Sequence, residues 1–400
     1  ECAFKASEEM GGIIHIASGG GKGLIVAALI AAWGLKTLIP LKSLDLARQL
    51  RQELMDYIGL TKDEVGLIGD GMWQEGSFIT IASVQTLTSK KMSSKKRVKK
   101  KFLLDSIEMI LVDECHNAIS PSYMSVLSSC PNASIRYGMS ATPTTPKIRT
   151  ESGREVKQDI ILVSHFGPVI FRKTTTDLIR DGWLAKPNVK IIQNIMDMDE
   201  IMLEYAKEYE IRVVRDQLRN AIACKVLYDA YVQDKQAIAF VWRIEHGELL
   251  YNHLVNVYGV EESHVGFAYG QDYLNCRIEV IQDFKSQNVR ILIGTKPVIS
   301  EGLNFKLDVG INISSGKSEK QAIQSLGRLL RKQRTSSGDV DPNIEEEVDF
   351  FDFRDKGNAY FEKQSRERQR IYKREGHILE KISIEDIMDE YIEQIMEQEQ

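Results

Sequence analysis

The chain has 400 residues, which is too long for one compact core and indicates two domains of ordinary size. It is 43% hydrophobic and 27% charged, the balance of a globular protein, so wholesale disorder is excluded. The formal net charge of −5 argues against a strongly basic nucleic-acid binder, but only if the charge is evenly spread along the chain.

The sequence indicates a protein of a reducing compartment that does not span a membrane. The longest apolar run, 24–33, has ten residues, whereas a helix needs about 20 to cross a bilayer. The five cysteines are scattered and lack the paired spacing of a zinc site. We therefore expect a cytoplasmic protein without structural zinc. Because the chain begins at Glu1 rather than Met, we interpret it as a fragment.

The first 165 residues alternate between short apolar runs and helical stretches. Strands are predicted over 12–17, 37–41, 78–82, 109–112 and 136–139, with helices between them such as 24–33 and 44–57. Strands that alternate with helices indicate βαβ units and a parallel sheet, and wholly apolar runs are typical of strands covered on both faces.

The alternation lapses over 166–215, which contains Gly167-Pro168 and Pro187, and it then resumes. Further strands are predicted over 237–242, 265–268, 290–294 and 309–313. The sequence therefore predicts an α/β fold with two tandem domains, mostly parallel sheets and C-terminal helices. The predicted division is a first domain over 1–165, a connector over 166–215, a second domain over 216–375 and an acidic amphipathic helix over 376–400.

Two segments differ from the rest in charge. Residues 90–101 include eight Lys or Arg, whereas residues 384–400 include seven acids and no base. Without those seven acids the chain has 52 basic and 50 acidic residues. The negative average therefore conceals a near-neutral body with a basic patch, and it is no evidence against nucleic-acid binding.

A glycine-rich loop follows the first strand and opens an apolar helix. It consists of Ser18, Gly19, Gly20, Gly21, Lys22, Gly23 and Leu24. Glycines let backbone N–H groups face an anion, the helix N-terminus adds partial positive charge, and a lysine reaches the β- and γ-phosphates of a nucleotide. The alternative is a glycine-rich turn before a buried helix.

Gly23 departs from the phosphate-loop pattern, which has Ser or Thr after the lysine. That hydroxyl normally binds Mg²⁺, and glycine offers no ligand. Water would have to take the coordination place, and Mg²⁺ usually keeps several waters. We expect nucleotide binding to survive and fast hydrolysis to be weakened.

Asp113 and Glu114 end an apolar strand. Acids at the carboxyl end of a strand lie where open α/β sheets bind ligands. One carboxylate, which we assign to Asp113, can hold Mg²⁺, and the next can orient or deprotonate an attacking water. Many strands end in a solvated acid, but the phosphate loop about 90 residues upstream strengthens the catalytic interpretation.

Through these elements the chain resembles the superfamily 2 helicases of the DEAD/DEAH-box group. Asp113-Glu114-Cys115-His116 matches motif II, and the likeness is greatest to phage-type DNA repair helicases and restriction-enzyme motor subunits. The other motifs follow in order: the Lys22 loop (I), residues 39–41 (Ia), 82–87 (Ib), 140–143 (III), 240–246 (IV), 294–304 (V) and 324–331 (VI). The resemblance covers nearly the whole chain.

The resemblance implies two RecA-like domains with ATP and Mg²⁺ in a cleft between them. It places Lys22, Asp113 and Glu114 in the first wall, Gln324, Arg328 and Arg331 in the second, and Gly302 of motif V among the nucleotide-binding residues. An arginine opposite the lysine can contribute on the order of 10³–10⁵ in rate. The alternative for the two arginines is a surface salt-bridge pair.

Motif III implies a coupling role for Ser140 and Thr142, whose hydroxyls bond back to motif II in the family. A turn role before Pro143 is the alternative. Cys115 stands where other members carry Ala, and we expect it to be buried and inert. A glutamine-containing segment that usually reads adenine is absent or truncated, which leaves base selectivity unassigned.

The family holds a nucleic-acid strand mainly by its backbone. The candidate contacts are Ser83, Gln85, Thr86 and Thr295. The basic run 90–101 follows motif Ib and could neutralise several phosphates, although a solvated loop is equally compatible. Trp242 could stack on a base, but a buried indole is the favoured interpretation.

The C-terminal segment has apolar residues at helical spacing from Ile384 to Met396, with Ser383 and Asp386 placed to cap the helix. We expect this stripe to dock on the second domain, with a protein partner as the alternative; the acidic polar face disfavours a membrane. The basic stretch 366–374 could approach nucleic acid, although a solvated face is more common.

These observations predict an ATP-dependent helicase or translocase, a P-loop ATP hydrolase that binds DNA in preference to RNA and acts as a monomer. One alternative is a nucleotide-gated clamp with weak hydrolysis because of Gly23, which a Gly23→Thr replacement would test. The other is the motor subunit of a restriction system, in which a partner supplies the nuclease.

Overall fold

The computed structural model describes residues 2–42, 44–141, 148–149, 155–156, 158–195, 204–270, 274–295, 307–316, 326–327, 330, 332 and 346–388. The chain divides into two compact units, Glu1–Thr174 and Thr175–Gln400. Each unit has its own sheet, parallel in all or most of its strand pairs, and its own apolar core. The predicted α/β fold class is therefore confirmed.

Unit 1 is a sheet covered by helices on both faces. Its strands are β1 (Gly11–Ile16), β2 (Thr37–Leu41), β3 (Val65–Gly69), β4 (Met72–Gln74), β5 (Ile79–Ser83), β6 (Met109–Asp113), β7 (Ile135–Ser140), β8 (Ile148–Arg149), β9 (Glu155–Val156) and β10 (Val169–Lys173). Its helices are α1 (Cys2–Ser7), α2 (Lys22–Trp33), α3 (Leu44–Ile58), α4 (Val84–Thr88), α5 (Ser94–Asp105), α6 (Pro121–Ser128) and α7 (Gln158–Phe166).

The main sheet of unit 1 has the spatial order β10-β1-β7-β6-β2-β5-β3-β4. All neighbouring pairs in it are parallel except β3–β4. Adjacent residues point to opposite faces: Ile13 packs with α4 to α7, and Ile14 packs with α1 to α3. Burial on both faces explains why the strands are apolar throughout.

The five strands predicted in the first domain are all present within one residue at each end, and the two named helices are present as α2 and α3. The hairpin β3–β4 was missed. Its turn is Asp70-Gly71, and both residues have positive φ, 49° and 76°. This Asp-Gly pair between apolar runs is the signal that could have revealed the hairpin.

Unit 2 is built around a second parallel sheet. Its strands are β11 (Lys186–Ile195), β12 (Ala237–Val241), β13 (Val265–Ala268), β14 (Ile291–Thr295), β15 (Val309–Asn312), β16 (Glu347–Lys356) and β17 (Leu379–Ile382). Its helices are α8 (Thr175–Arg180), α9 (Tyr205–Tyr209), α10 (Gln217–Val232), α11 (Ile244–Asn256), α12 (Leu274–Lys285) and α13 (Ala359–Arg374). The spatial order is β13-β14-β12-β15-β16-β11-β17.

The prediction of a connector over 166–215 is wrong for two segments. Strand β10 pairs with β1 in the first sheet, and β11 lies between β16 and β17 in the second. Pro168 and Pro187 suggested a connector, but Pro168 precedes its strand and Pro187 is the second residue of its strand. A proline near the start of a strand removes little of the hydrogen-bond ladder.

Buried ion pairs connect α13 and α10 to the sheet of unit 2. The Arg368 guanidinium donates to both carboxylate oxygens of Asp352, at 2.8 and 2.9 Å, and the Tyr372 hydroxyl donates to the same carboxylate at 2.8 Å. Arg219 pairs with Asp355 at 2.6 Å, and both side chains are inaccessible to solvent. Removal of one member of such a pair would leave the other as an uncompensated buried charge.

The segment after β17 packs on unit 2 as far as it is described. Ser383 N–H donates to the Asp386 carboxylate at 2.9 Å, and Asp386 N–H donates to the Ser383 hydroxyl at 3.1 Å, which forms a reciprocal cap. Ile384, Ile387 and Met388 pack against the unit 2 core. The remainder of the predicted helix, 389–400, lies outside the described residues.

Among the helices in the described part of the chain, none combines the length and the apolar character that a membrane span requires.

Candidate nucleotide-binding site

The glycine-rich loop joins β1 to α2 at the carboxyl edge of the first sheet. Gly21 caps α2 with φ 78° and ψ 33°, a left-handed conformation that costs a side-chain-bearing residue energy. Its carbonyl accepts a hydrogen bond from Ile25 N–H at 3.1 Å, so the helix begins directly at Lys22. The loop therefore presents a helix N-terminus and a lysine at the sheet edge, as a phosphate-binding loop does.

Lys22 meets the acid pair at the end of β6. Its ammonium donates to Glu114 Oε1 at 2.9 Å and lies 3.8 Å from Asp113 Oδ1. Burial lowers the pKa of Lys22, but the Glu114 and Asp113 carboxylates outweigh this effect and leave that pKa raised. Lys22 is therefore a persistent cation at physiological pH. The loop and the acid pair, far apart in sequence, form one site.

Asp113 and Glu114 are held in different ways. Glu114 N–H donates to Asp113 Oδ1 at 2.8 Å, and the Glu114 backbone is left-handed, with φ 50° and ψ 51°. Removal from water raises the pKa of Asp113; Lys22 opposes this shift, whereas Glu114 and Glu53 add to it. The carboxylate oxygens are hard ligands of the kind that Mg²⁺ binds, so Asp113 fits the metal-holding role.

His116 and Ser140 connect the acid pair to the end of β7. His116 Nδ1 lies 2.9 Å from the Ser140 hydroxyl and 3.2 Å from Glu114 Oε2, and the Ser140 hydroxyl donates to Glu114 Oε2 at 3.5 Å. The bond from Ser140 back to motif II is therefore present. Thr142, the other coupling candidate, lies outside the described residues.

Two neighbours of the site were not among the predicted site residues. His15 Nε2 lies within hydrogen-bonding distance, 3.0 Å, of the Ala141 carbonyl and connects β1 to the segment after β7. Glu53 on α3 reaches the loop: a Cβ on Gly23 would lie 2.5 Å from Glu53 Oε2. Neither belongs to a motif, and α3 carries only an ordinary amphipathic pattern, so the sequence holds no signal for Glu53.

Cys115 is buried, as expected. Burial raises the pKa of its thiol to about 12, and the Glu114 carboxylate adds to that shift. A thiol with so high a pKa stays protonated and is a poor nucleophile or metal ligand.

Five predicted site residues cannot be placed. They lie outside the described residues and are Thr142, Gly302, Gln324, Arg328 and Arg331.

The nucleic-acid candidates are at the carboxyl ends of β5 and β14. Gln85 is exposed and Thr86 is half-buried on α4, whereas the Ser83 and Thr295 side chains are buried. Ser83 and Thr295 can therefore offer mainly backbone groups. Such contacts would position a strand without reading its sequence.

The basic run is a helix rather than a loop. Residues 94–101 of the run belong to α5, whose lysines and single arginine are mainly exposed, while Leu103 and Leu104 anchor its C-terminal end in the core. Next to it, Trp73, Glu75, Lys99 and Phe102 line a surface hollow of about 320 Å³. Exposed cations beside aromatic side chains are typical of surfaces that bind single strands.

Trp242 differs from its expected environment, whereas the basic stretch of α13 agrees with the solvated face that was favoured. The Trp242 side chain is 48% exposed, so the interpretation as a buried indole is wrong. On α13, Arg368 is buried against Asp352, while Arg366 and Arg370 pair with Glu362 and Glu367 of their own helix. This arrangement agrees with a solvated face rather than a nucleic-acid contact.

Two family models match the chain, one in each unit. Residues 2–145 match the model described as "Type III restriction enzyme, res subunit", and residues 219–333 match the "Helicase conserved C-terminal domain". The first match contains the phosphate loop, the acid pair and Ser140, and the second contains the segment predicted as motif VI.

Curated relatives match most of this chain. The "ATP-dependent DNA helicase uvsW" of Enterobacteria phage T4 is 24% identical over 346 residues, or 80% of this chain and 62% of the relative. The "DNA 3'-5' helicase XPB" of Mycobacterium tuberculosis (strain ATCC 25618 / H37Rv) is 25% identical over 339 residues, or 82% of this chain and 56% of the relative. The chain thus spans roughly three fifths of each relative.

The fold is that of tandem RecA-like helicase units. A fragment of an HsdR subunit of a type I restriction enzyme from Vibrio vulnificus YJ016 superposes with a TM-score of 0.65 and 17% sequence identity, over 96% of this chain and 68% of that one. The two family models follow each other in the order of the two units, and the phosphate loop meets the acid pair in space. Each family model thus matches one unit, and the chain as a whole is similar to the superfamily 2 helicases.

Proposed function

We propose that the protein is an ATP-dependent DNA helicase or translocase that couples ATP hydrolysis to movement on a strand. The observation that carries the proposal is the contact between Lys22 and the acid pair, 2.9 Å to Glu114 and 3.8 Å to Asp113. A lysine at a helix N-terminus that faces two carboxylates at a strand end is the arrangement that phosphoryl transfer uses.

Different residues of unit 1 have different roles in the proposed hydrolysis. The loop amides and the Lys22 ammonium would hold the β- and γ-phosphates, and the Asp113 carboxylate would hold Mg²⁺. The metal, when bound, neutralises charge that develops on the phosphates. Glu114 orients the attacking water and accepts its proton, and the lysine that binds Glu114 turns to the phosphates.

We assign the second half of the site to unit 2 from the order of the motifs. The resemblance assigns Gln324, Arg328 and Arg331 to catalysis and Gly302 to nucleotide binding. Phosphoryl transfer needs charge neutralisation from the side opposite Lys22, and an arginine contributes on the order of 10³–10⁵ in rate.

DNA is the proposed track because the curated relatives are named as DNA helicases. Ser83, Gln85, Thr86 and Thr295 contact the strand in this proposal, and α5 adds positive charge. The first turn of α5 contains Lys95, Lys96 and Arg97 and no acid, although the helix dipole disfavours cations there by about 0.3–1 kcal/mol each. This arrangement does not favour helix stability, which supports a binding role. We propose that a monomer suffices.

The experiment is a steady-state ATPase assay with single-stranded DNA, duplex, forked duplex and RNA. We expect stimulation by DNA above that by RNA and strand displacement on the fork. Lys22→Ala should abolish nucleotide binding, and Glu114→Gln should keep binding while hydrolysis falls at least about 10²-fold. Absence of ATP hydrolysis on every nucleic acid by a protein that binds both ATP and DNA would overturn the proposal.

A restriction motor is the second candidate, and the type III restriction description of the first family model favours it. A motor of this kind moves on duplex DNA without separating the strands. Displacement of a triplex-forming oligonucleotide without unwinding of a fork would support this candidate, whereas fork unwinding would support the helicase.

A further inference from the structure

The position after the phosphate-loop lysine carries no hydroxyl, yet the space beside it is filled. A side chain on Gly23 would begin 2.5 Å from Glu53 Oε2 and 3.7 Å from Glu53 Cδ, with Tyr57 3.9 Å away. A distance of 2.5 Å is shorter than any non-bonded contact to a Cβ. The Glu53 carboxylate thus occupies the place where the usual Ser or Thr side chain would stand.

Glu53 is oriented towards the loop by its own helix. Gln49, one turn earlier on α3, donates its amide N–H to Glu53 Oε1 at 2.7 Å. The other oxygen, Oε2, is the atom that faces Gly23. Glu53 is half-buried, so its charge acts in surroundings that screen it less than bulk water does.

The Asp113 carboxylate also approaches the phosphate loop. Asp113 Oδ1 lies 3.8 Å from the Lys22 ammonium, and Lys22 directly precedes Gly23, which Glu53 faces. Two carboxylates, from α3 and β6, therefore approach the same loop from different elements. Mg²⁺ is typically bound by one or two carboxylates together with substrate phosphates and waters.

We propose that the Glu53 carboxylate replaces the missing Ser or Thr hydroxyl as the oxygen ligand, direct or through water, of the Mg²⁺ that accompanies the nucleotide. The proposal rests on the nucleotide-binding function proposed above. It makes Gly23 and Glu53 a matched pair: the glycine provides the room, and the glutamate provides the ligand. It also removes the reason to expect weak hydrolysis from Gly23 alone.

A carboxylate differs from a hydroxyl in charge, and this difference has a measurable consequence. Without metal, Glu53 repels the nucleotide phosphates; with metal, it attracts the cation. Nucleotide affinity should therefore depend strongly on Mg²⁺. The unaltered chain should bind nucleotide weakly in chelator and tightly in Mg²⁺.

The test measures binding of a fluorescent, non-hydrolysable ATP analogue to the full chain during a Mg²⁺ titration, and repeats it with Mn²⁺ detected by electron paramagnetic resonance. Glu53→Gln should raise the half-saturating metal concentration about 10–100-fold. Its affinity for the analogue in chelator should be unchanged or higher, because the repulsion is removed.

The chain offers a matched control on the same helix. Gln52 donates to Asp56 Oδ1 at 2.8 Å, one turn apart, in the same relationship as Gln49 to Glu53, but Asp56 is exposed. Asp56→Asn should leave the metal titration unchanged.

A second-site replacement tests the pairing of Gly23 with Glu53. Gly23→Thr alone should weaken metal binding, because the new side chain needs the space of the Glu53 carboxylate and displaces it from the loop. Glu53→Ala alone should lose metal affinity, and the double variant Gly23→Thr/Glu53→Ala should recover it to within about threefold of the unaltered chain. Circular dichroism of each variant checks that it is folded.

The outcomes separate this proposal from the one on which it rests. Analogue binding with an unchanged metal titration in Glu53→Gln overturns the role of Glu53 and leaves the nucleotide site intact. Failure of the double variant to recover metal affinity also counts against the pairing. If the unaltered chain binds no analogue with or without metal, the proposed function itself fails and this proposal fails with it.

Discussion

His116 Nδ1 lies 2.9 Å from the hydroxyl of Ser140, across the carboxyl ends of the paired strands β6 and β7. Glu114, the proposed base, is part of the same group, with Oε2 3.2 Å from His116 Nδ1. Movement of the Glu114 carboxylate therefore changes the hydrogen bonds of Ser140. This is a direct physical route from the hydrolysis site to the segment that follows β7.

Ser140→Ala should uncouple hydrolysis from movement. Loss of the hydroxyl leaves Lys22 and the acid pair in place, so we expect ATPase activity to change less than about threefold. Strand displacement should fall at least about tenfold, which corresponds to about 1.4 kcal/mol, a value within the range for one buried hydrogen bond. Parallel ATPase and fork-unwinding assays measure the ratio of the two activities.

Ser106→Ala is the control for that variant, because the Ser106 hydroxyl bonds only locally, to the Leu103 carbonyl at the end of α5. It should change neither activity. An equal loss of ATPase and unwinding in Ser140→Ala would mean that Ser140 supports the catalytic geometry rather than the coupling.

Neutralising α5 should weaken DNA binding in a salt-dependent way. A triple variant, Lys95→Gln/Lys96→Gln/Lys99→Gln, removes three exposed charges. If each contacts a phosphate of a single strand, the slope of log K against log salt should become shallower by about 2, since each contact contributes about 0.7. Fluorescence anisotropy at several salt concentrations gives the slope.

The basic residues of α13 provide the comparison. Arg366 and Arg370 are exposed but paired with Glu362 and Glu367. The double variant Arg366→Gln/Arg370→Gln should leave the salt slope unchanged. If the slope of log K against log salt changes in the α13 variant and not in the α5 variant, the nucleic-acid strand binds to the surface of α13 and not to that of α5.

Removing Arg368 should destabilise unit 2 strongly. Arg368→Met leaves the buried Asp352 carboxylate without its guanidinium partner, and loss of one member of a buried pair costs about 3–5 kcal/mol. Hydrogen–deuterium exchange of β16 and α13 should report this loss, while the sheet of unit 1 keeps its protection.

A double variant separates lost pairing from lost packing. Arg368→Met/Asp352→Leu removes both charges, so exchange protection should recover part of the way towards that of the unaltered chain. If the single and double variants are equally destabilised, packing rather than charge pairing accounts for the loss.

Acid should destabilise unit 2 through His246. Its imidazole is buried on α11, Nε2 lies 2.8 Å from Asn220 Oδ1, and burial lowers its pKa to about 3. An unfolded histidine has a pKa of about 6.5, so the stability is fully present above pH 6.5 and is lost as pH falls towards 3. Between pH 7.5 and pH 5 the loss from this group should be about 2 kcal/mol.

His246→Gln should flatten this pH dependence, because glutamine can still donate to Asn220 but does not titrate. Exchange of the β12 and α11 amides at pH 7.5 and pH 5 measures the effect. His264→Gln is the control, since its imidazole is 36% exposed. An unchanged pH dependence in His246→Gln would point to other groups, such as His377, whose pKa burial lowers to about 4.

The sequence predicted the strands that are mostly apolar because they are buried between helices. Most of the missed strands have a mixed composition; β3, which is apolar and buried, is an exception. In β16, Asp352 and Asp355 are buried among phenylalanines, and their charges are balanced by Arg368 and Arg219 from distant helices. Local sequence carries no sign of such pairing, because the compensating charge comes from another part of the chain.

Only part of the site was predicted, because some of its residues come from distant parts of the chain. Lys22, Asp113, Glu114 and Ser140 belong to motifs whose spacing reflects a local strand and turn, and the structure brings these four together. Glu53 belongs to no motif. It lies 30 residues after Gly23 in the sequence, and the packing of α3 on α2 brings the two residues together. Only the three-dimensional structure shows this contact.

The left-handed backbone of Glu114 lowers the stability of the fold, while the Glu114 side chain serves the proposed activity. For a residue with a side chain this conformation costs about 1–2 kcal/mol, and Gly or Asn would adopt it more readily. Neither would supply a carboxylate to Lys22. Selection for stability alone would thus tend to replace Glu114, and a descendant that no longer needed to hydrolyse ATP could gain stability by losing its base. In such a descendant, Glu114 would be among the first residues of the site to be replaced.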